Sequence, residues 1–543
     1  MKKVSASSSL NFGVAELAKS FGGIGHNRWF NQNELTESLR GFRYLRTSVQ
    51  VTRINMKSIS GRLTKFFLFG FILLPVGFCY GQESNGARST PLTRPELKRL
   101  IEDVKVRVPR IPLPELTEAD REKLGDQVDS YESRVKHHYF NGIEVIRPIV
   151  ALAAPVVNSG TSGFKPSNPP AFAREQDPNY SLDNAFKIEL FWIVSRVNNC
   201  QYCIGHQESK LLGAGRSEDQ IAALDGDWSE FEPAQQKAFA FARKFTFQPH
   251  LLDDQDIVGL KAHFSDSHIL EMLLSMSGNN SINRWKEAVG VPQRKDEGGY
   301  SRLAALGAGT AEIDPKLPKG TYLTPTSSAF EKKVSKVAVF VLDEKTDATS
   351  RPTLSKRPPL ESRDEVEKKL AECRSRKSRL NLVEDAQARK HIPGCLSLDG
   401  APPAWVRLIA NFPKAGSSRF DSVIASQEKG DLSPLFRAQL SWILARQDRA
   451  WYALGLAQAQ LRKLGQTDED IYALDGDWSG FSEKDRALFQ IAKQLGTSPV
   501  VLSDDEVKAG VGLAGARDVV QTISYTTSRA SFNRLTEAAG LPL

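Results

Sequence analysis

Ala223-Leu224-Asp225-Gly226-Asp227-Trp228-Ser229 returns 250 residues later as Ala473-Leu474-Asp475-Gly476-Asp477-Trp478-Ser479. Outward from that stretch the offset holds without a gap, from Leu190/Leu440 through Trp192/Trp442, Arg196/Arg446, Tyr202/Tyr452, Gly205/Gly455, Gly215/Gly465, Phe231/Phe481 and Pro249/Pro499 to Asn283-Arg284/Asn533-Arg534. A constant offset over that distance marks a tandem duplication. Pro91-Leu92 and Pro359-Leu360 each precede a charged, helix-patterned stretch, but in a different register. Within each copy, segments such as Ile188 to Val197, Ala234 to Phe245, Asp253 to Ala262 and His268 to Met276 carry apolar residues at three- and four-residue spacings, broken by Gly, Asn, Asp and Pro. The pattern predicts an all-α fold of two tandem helical bundles joined by a partly ordered linker.

The length of 543 residues is too great for one core. Hydrophobic residues at 40%, charged residues at 25% and a mean hydropathy of -0.35 exclude a polytopic membrane protein. The net charge of +8 invites a nucleic-acid reading, but residues 1–65 hold eleven Lys or Arg against three Glu, which is the whole of that excess. The remaining chain is neutral, so no nucleic-acid partner is expected.

From Met56 the chain reads MKSISGRLTK, then the apolar run Phe66 to Phe78, then Cys79-Tyr80-Gly81 before Gln82. A basic start, a short apolar run and small residues before a cut make 56–81 a secretory signal peptide, and the run is too short to span a bilayer comfortably. The expected location is secreted or periplasmic, with only a transient membrane contact. Residues 1–55 are then a non-native extension. The rest divides into an arm over 82–144, a first domain over 145–297, a linker over 298–358 with one β-like run at Val337 to Leu342, a second arm over 359–399 and a second domain over 400–543. Cys373 and Cys395 are either a structural bridge or two separate thiols.

The segment with catalytic character is Asn198-Asn199-Cys200-Gln201-Tyr202-Cys203-Ile204-Gly205-His206-Gln207. Asn198 with Gln201 three residues on forms a capping-box pattern, which predicts a helix start. Cys200 and Cys203 then lie one turn apart near the positive end of the helix dipole, where a thiolate is favoured. His206, one turn after Cys203, could relay a proton. Glu189 lies 11 residues before Cys200, about 16 Å along an unbroken helix. It serves the dithiol only if a break at Asn198-Asn199 folds it back. In the second copy Cys200, Cys203, His206, Gln207 and Glu189 become Ala450, Ala453, Leu456, Ala457 and Gln439, while the apolar and turn positions persist. Joint loss points to one functional unit. Asp225-Gly226-Asp227-Trp228, Asn283 and Arg284 are kept in both copies and read as structural.

A helix carrying Glu, then C-x-x-C with Tyr before the second Cys and Ile-Gly-His after it, resembles the carboxymuconolactone decarboxylase superfamily, in its alkylhydroperoxidase D-like branch. The likeness covers roughly residues 145–295, with 400–543 as a degenerate second copy. It implies an all-α fold, oligomers built around the bundle, and a dithiol that reduces peroxides. Cys203 would be peroxidatic, Cys200 resolving, and a Glu and a His, here Glu189 and His206, would relay the proton. Two features depart from the family pattern: Gln207 stands where the family has its His, and Glu189 lies one residue nearer the dithiol than expected.

The leading expectation is therefore an exported thiol-dependent peroxidase or disulfide oxidoreductase, a homo-oligomer acting on hydroperoxides. No flavin or nicotinamide fingerprint is present in the sequence, so no cofactor is expected and an external thiol or protein must supply reducing equivalents. Three other readings compete. A zinc site would use Cys200, Cys203 and His206 with His250, His263 or His268 as a fourth ligand. A lactone decarboxylase would have no need of the dithiol. A secreted scaffold would use Cys200 and Cys203 only as a structural bridge.

Overall fold

A computed structural model describes residues 94–140, 177–293 apart from 227, and 357–543 apart from 399 and 501. The expected extension over 1–55, the signal peptide over 56–81 and the Val337 to Leu342 run lie outside the described residues, as does all but the last two residues of the 298–358 linker. Among the described residues there are 18 α-helices and no strand, and the expected all-α class holds. No helix among them is long and apolar enough to cross a membrane.

The first arm contributes α1 (Arg94–Asp103), α2 (Glu118–Leu124) and α3 (Tyr131–Tyr139). The first repeat follows as α4 (Asn184–Val197), α5 (Gln201–Gly213), α6 (Glu218–Ala223), α7 (Pro233–Phe247), α8 (Asp254–Lys261) and α9 (Asp266–Val289). The second arm holds α10 (Arg363–Ser375), α11 (Asp385–His391), α12 (Ala404–Ile409) and α13 (Pro413–Glu428). The second repeat is α14 (Pro434–Asp448), α15 (Trp451–Lys463), α16 (Asp468–Tyr472), α17 (Glu483–Gly496) and α18 (Asp504–Ala538).

Helix boundaries follow local chemistry. Asp183 caps α4 by accepting the Phe186 N–H, Ser265 caps α9 through His268, and Gly290 ends α9 at a φ of 69°. Where the first repeat breaks between α8 and α9, the second runs on as α18 with a kink at Gly515, φ 83°, at the position of Ser265. Each repeat is centred on a helix buried along most of its length, α4 or α14, whose Trp192 or Trp442 is fully buried.

The described residues fall in one compact unit, and buried side chains of both repeats join one hydrophobic cluster, so the repeats share a core rather than standing apart. α9 packs against α18. Contacts recur across the duplication with the same partners. Arg110 of the first arm pairs with Asp504 of the second repeat, and Arg379 of the second arm pairs with Asp254 of the first at 2.6 Å. The Gln293 N–H donates to the Val104 carbonyl at 3.1 Å, and the Leu543 N–H to the Cys373 carbonyl at 3.3 Å. Arg94 reaches Glu218 at 3.3 Å, and Arg363 reaches Asp468 at 2.5 Å. The Arg110 and Arg379 pairs cross between the halves and are isologous, the pattern of a two-fold dimer interface built into one chain, whereas the other two sets repeat within each half. They also align the arms at an offset of 269 rather than 250, which is why the sequence alone shows that part of the repeat poorly.

Candidate dithiol site

α4 and α5 form a helical hairpin. Asn199 makes the reversal in the left-handed region, φ 57°, which Asn tolerates better than most residues. The expected break is therefore present, but the expected cap is not. Asn198 closes α4 and Cys200 is the N-cap of α5, its sulfur accepting the Cys203 N–H at 3.3 Å. The Asn198 amide is taken instead by Asn280 and Asn283 of α9, at 3.0 and 3.1 Å, and Gln201 donates to the Asn199 side chain at 2.6 Å.

The two sulfurs form one buried cluster with Phe191, against which Tyr202 and Ile282 pack. Cys200 is 0% exposed and Cys203 2%. All four described cysteines are free, Cys373 and Cys395 included. The sequence favoured a thiolate at the start of the helix; for Cys200 burial wins. Removal from water raises its pKa well above the usual thiol value, the neighbouring Cys203 thiol and Glu287 raise it further, and only the Cys203 N–H opposes. Cys200 is thus a protonated thiol at neutral pH.

His206 is half-buried on α5, one turn beyond Cys203 and on the same face. Gln207 is buried, and among the described residues its Oε1 has no hydrogen-bond partner. Glu189 does fold back, but along the hairpin rather than to its tip. It lies eight residues before Val197, the last residue of α4, roughly 9 Å further along the axis than Cys203. Trp192 Nε1 donating to Glu208 at 3.2 Å fixes that register. Glu189 is 2% exposed and accepts from Arg216 Nε at 2.7 Å and Gln235 Nε2 at 3.2 Å. Burial raises its pKa above the usual carboxylate value against the pull of Arg216. In the second repeat both Glu189 and Arg216 become Gln, so the loss of Glu189 is accounted for by the loss of its ion-pair partner.

Among the described residues, the charged groups that act on the thiols are Lys286 and Glu287 of α9, which lie outside the C-x-x-C motif. The Lys286 ammonium lies 4.4 Å from the centroid of the Tyr202 ring and pairs with Glu132 of α3. Burial opposes its charge, but Glu132, Tyr202 and Cys203 outweigh that and hold its pKa above the usual ammonium range. Glu287 pairs with Arg107 at 3.2 Å. A signal was present: at the same offset Lys286 becomes Thr536, lost along with the thiols, while Glu287 is kept as Glu537.

Among the described residues the cluster of three potential metal ligands is Asp120, His137 and His138 on α2 and α3, away from the Cys pair in the chain. His250, one candidate fourth zinc ligand, is pushed down to about pKa 4 by burial and by the cations Arg357, Arg449 and Arg534. The conserved turn is structural in both repeats: Asp225 binds Arg196 at 3.0 Å, Asp475 binds Arg446 at 2.9 Å, and Trp228 and Trp478 each donate to a backbone carbonyl at 2.8 Å. Arg284 ties the repeats together by donating to the carbonyls of Leu495 and Thr497 and to Ser498 Oγ, at 2.8, 2.5 and 2.9 Å. No family model matches the chain, and no curated protein matches it either.

Proposed function

We propose that the chain is a thiol-dependent peroxidase of alkylhydroperoxidase D-like type, with its active dithiol in the first repeat. The observation that carries this reading is the pairing of two free thiols one turn apart at the start of α5, in an apolar pocket, in a duplicated chain that has lost both together with His206 and Lys286. The Cys203 sulfur attacks the terminal peroxide oxygen and the O–O bond breaks. Sulfenic acid forms on Cys203, and His206 takes the proton given up by the Cys203 thiol and passes it to the leaving alkoxide. The Cys200 thiol then attacks that sulfur, a disulfide forms, and water leaves with the thiol proton. Two thiols and one hydroperoxide give one disulfide, one alcohol and one water, and an external dithiol or protein donor restores the pair.

Three features support the division of labour. Cys200, held protonated and capping its own helix, suits the resolving role. Cys203 lies within electrostatic reach of the Lys286 ammonium, a cation that acts on the reacting sulfur. Glu189 we assign to bracing the α4–α5 hairpin through Arg216. The second repeat, through its isologous contacts, takes the place that a second subunit would fill. Its Ser498 and Val500 reach Asn198, two residues before Cys200. Mass spectrometry of the reduced chain after one equivalent of hydrogen peroxide tests this. A Cys200–Cys203 disulfide is expected; oxidation spread over all the cysteines would refute the reading.

A further inference from the structure

The repeats differ in chemistry around the position of the thiols. At the offset of 250, Phe191, Cys200, Cys203, Ser275, Asn279 and Ile282 become Ser441, Ala450, Ala453, Tyr525, Arg529 and Phe532. The sulfurs have gone, an apolar wall residue has become a hydroxyl, and a cation has entered. On α18, Thr522, Tyr525, Thr526, Arg529 and Phe532 fall at three- and four-residue spacings on one face.

Arg529 is 4% exposed, and its guanidinium lies over the Phe532 ring, 4.2 Å from the centroid. Among the described residues no carboxylate pairs with it, and its Nε has no hydrogen-bond partner. The buried hydroxyls of Thr522 and Thr526 on the same face are equally unpartnered. Tyr525 holds Ser441 Oγ at 2.8 Å, and the Tyr452 ring packs 6.4 Å from Phe532.

Arg529 could be read as filler for space the sulfurs left, but a Leu or Met fills space without desolvating a charge. A guanidinium does not give up its proton, so a buried one needs a counter-charge or a set of hydrogen-bond acceptors. Other buried arginines here show the usual solutions: Arg196 has Asp225, Arg446 has Asp475 and Glu361, Arg534 has Asp448, and Arg419 donates to Ser277 and the Leu274 carbonyl. Arg529 has none of these.

We propose that the second repeat is a binding site for a small oxyanion, a carboxylate or a phosphate, held by the Arg529 guanidinium with Thr522, Thr526 and Tyr525 as hydroxyl partners. The planar fork of Arg suits the two oxygens of such a group. Tyr452, Tyr525 and Phe532 suit an apolar or aromatic body behind a carboxylate. The duplication would then have divided the work, with thiol chemistry in one copy and anion recognition in the other; the proposal stands whether or not the dithiol reduces peroxides.

Calorimetric titration of the full chain at constant ionic strength tests it, with benzoate in one arm and inorganic phosphate in the other, on wild type and Arg529→Met. One equivalent of at least one anion should bind wild type, and the arm that responds identifies the source. The Met variant should bind about tenfold more weakly or worse, the loss expected for hydrogen bonds to a charged group. Absence of binding by wild type to millimolar concentration in both arms, or equal binding by the variant, overturns the proposal. Should Arg529→Met fail to fold, wild-type melting decides. A midpoint that rises with benzoate or phosphate but not with chloride at the same ionic strength supports the site, and identical midpoints overturn it.

Discussion

Glu189→Gln separates a proton relay from a structural brace. The carboxylate is buried between Arg216 and Gln235, and burial raises its pKa above the usual 4.5. The folded chain therefore holds that proton more tightly than the unfolded chain. Ionisation of Glu189 works against folding, and its unfavourable contribution grows as pH rises from about 4.5 through the raised value. Glutamine keeps an acceptor oxygen for Arg216 Nε and removes the buried charge. Arg216 is about one-third exposed and stays solvated when its partner becomes neutral. The lost Coulomb attraction and the recovered desolvation nearly cancel, so the net change at neutral pH should be within about 1 kcal/mol. The variant should also lose part of the wild type's fall in stability between about pH 4.5 and neutrality, as read from urea unfolding at several pH values. In the same preparations, stopped-flow thiol loss with hydrogen peroxide should change no more than a few-fold. A general acid–base group on the reacting path contributes about 10²- to 10⁴-fold. A hundredfold slower reaction in a variant that unfolds like wild type would show that Glu189 reaches the reacting atoms and that its assignment as a brace is wrong.

Other parts of the site give further expectations. In Gly205→Ala the new Cβ meets Ile101 Cγ2 at 2.7 Å, so α1 must shift; a loss of about 1–3 kcal/mol in denaturant unfolding is expected, with faster proteolysis near residues 94–103. Burial opposes the charge of Glu208, but Arg94 and Lys98 outweigh it and pull its pKa down to about 2. Its stabilisation is present above about pH 4.5 and lost as pH falls toward 2, and Glu208→Gln should cost about 3–5 kcal/mol at neutral pH while flattening that acid limb in pH-dependent melting. Lys286→Met removes the cation near Cys203, and the reaction of Cys203 with hydrogen peroxide in stopped flow should slow by about tenfold or more through lost electrostatic stabilisation of the reacting atoms. An unchanged rate would show that the ammonium does not act on that thiol.

The helices were legible in the sequence because their burial is periodic: Ile188 to Val197 reads as α4, and Asp253 to Ala262 matches α8 within a residue at each end. The dithiol was legible because the duplicate discarded it. What the sequence could not show depends on contacts far apart in the chain. Asn198 reads as a helix cap by local propensity, yet it closes α4 in helical backbone with its Nδ2 donating to Asn280 and Asn283, and the cap falls to Cys200. Glu189 reads as a partner of the thiols until the hairpin register sets it beside Arg216. Lys286 reaches the site only because α9 packs behind α5, and its loss in the second repeat goes unnoticed unless the comparison extends past the motif. The arms hid their equivalence behind a 19-residue difference in connection length, which the matched ion pairs of Arg110 and Arg379 expose.

The central claim is that Cys203 reacts with peroxide and Cys200 resolves it. Stopped-flow mixing of the pre-reduced chain with hydrogen peroxide, in wild type, Cys203→Ser and Cys200→Ser, tests it most directly. The account predicts rapid loss of two thiols in wild type, a trapped sulfenic acid in Cys200→Ser and no fast phase in Cys203→Ser. Thiol loss at the same slow rate in all three would contradict it and leave an all-α duplicated chain whose paired cysteines serve another purpose.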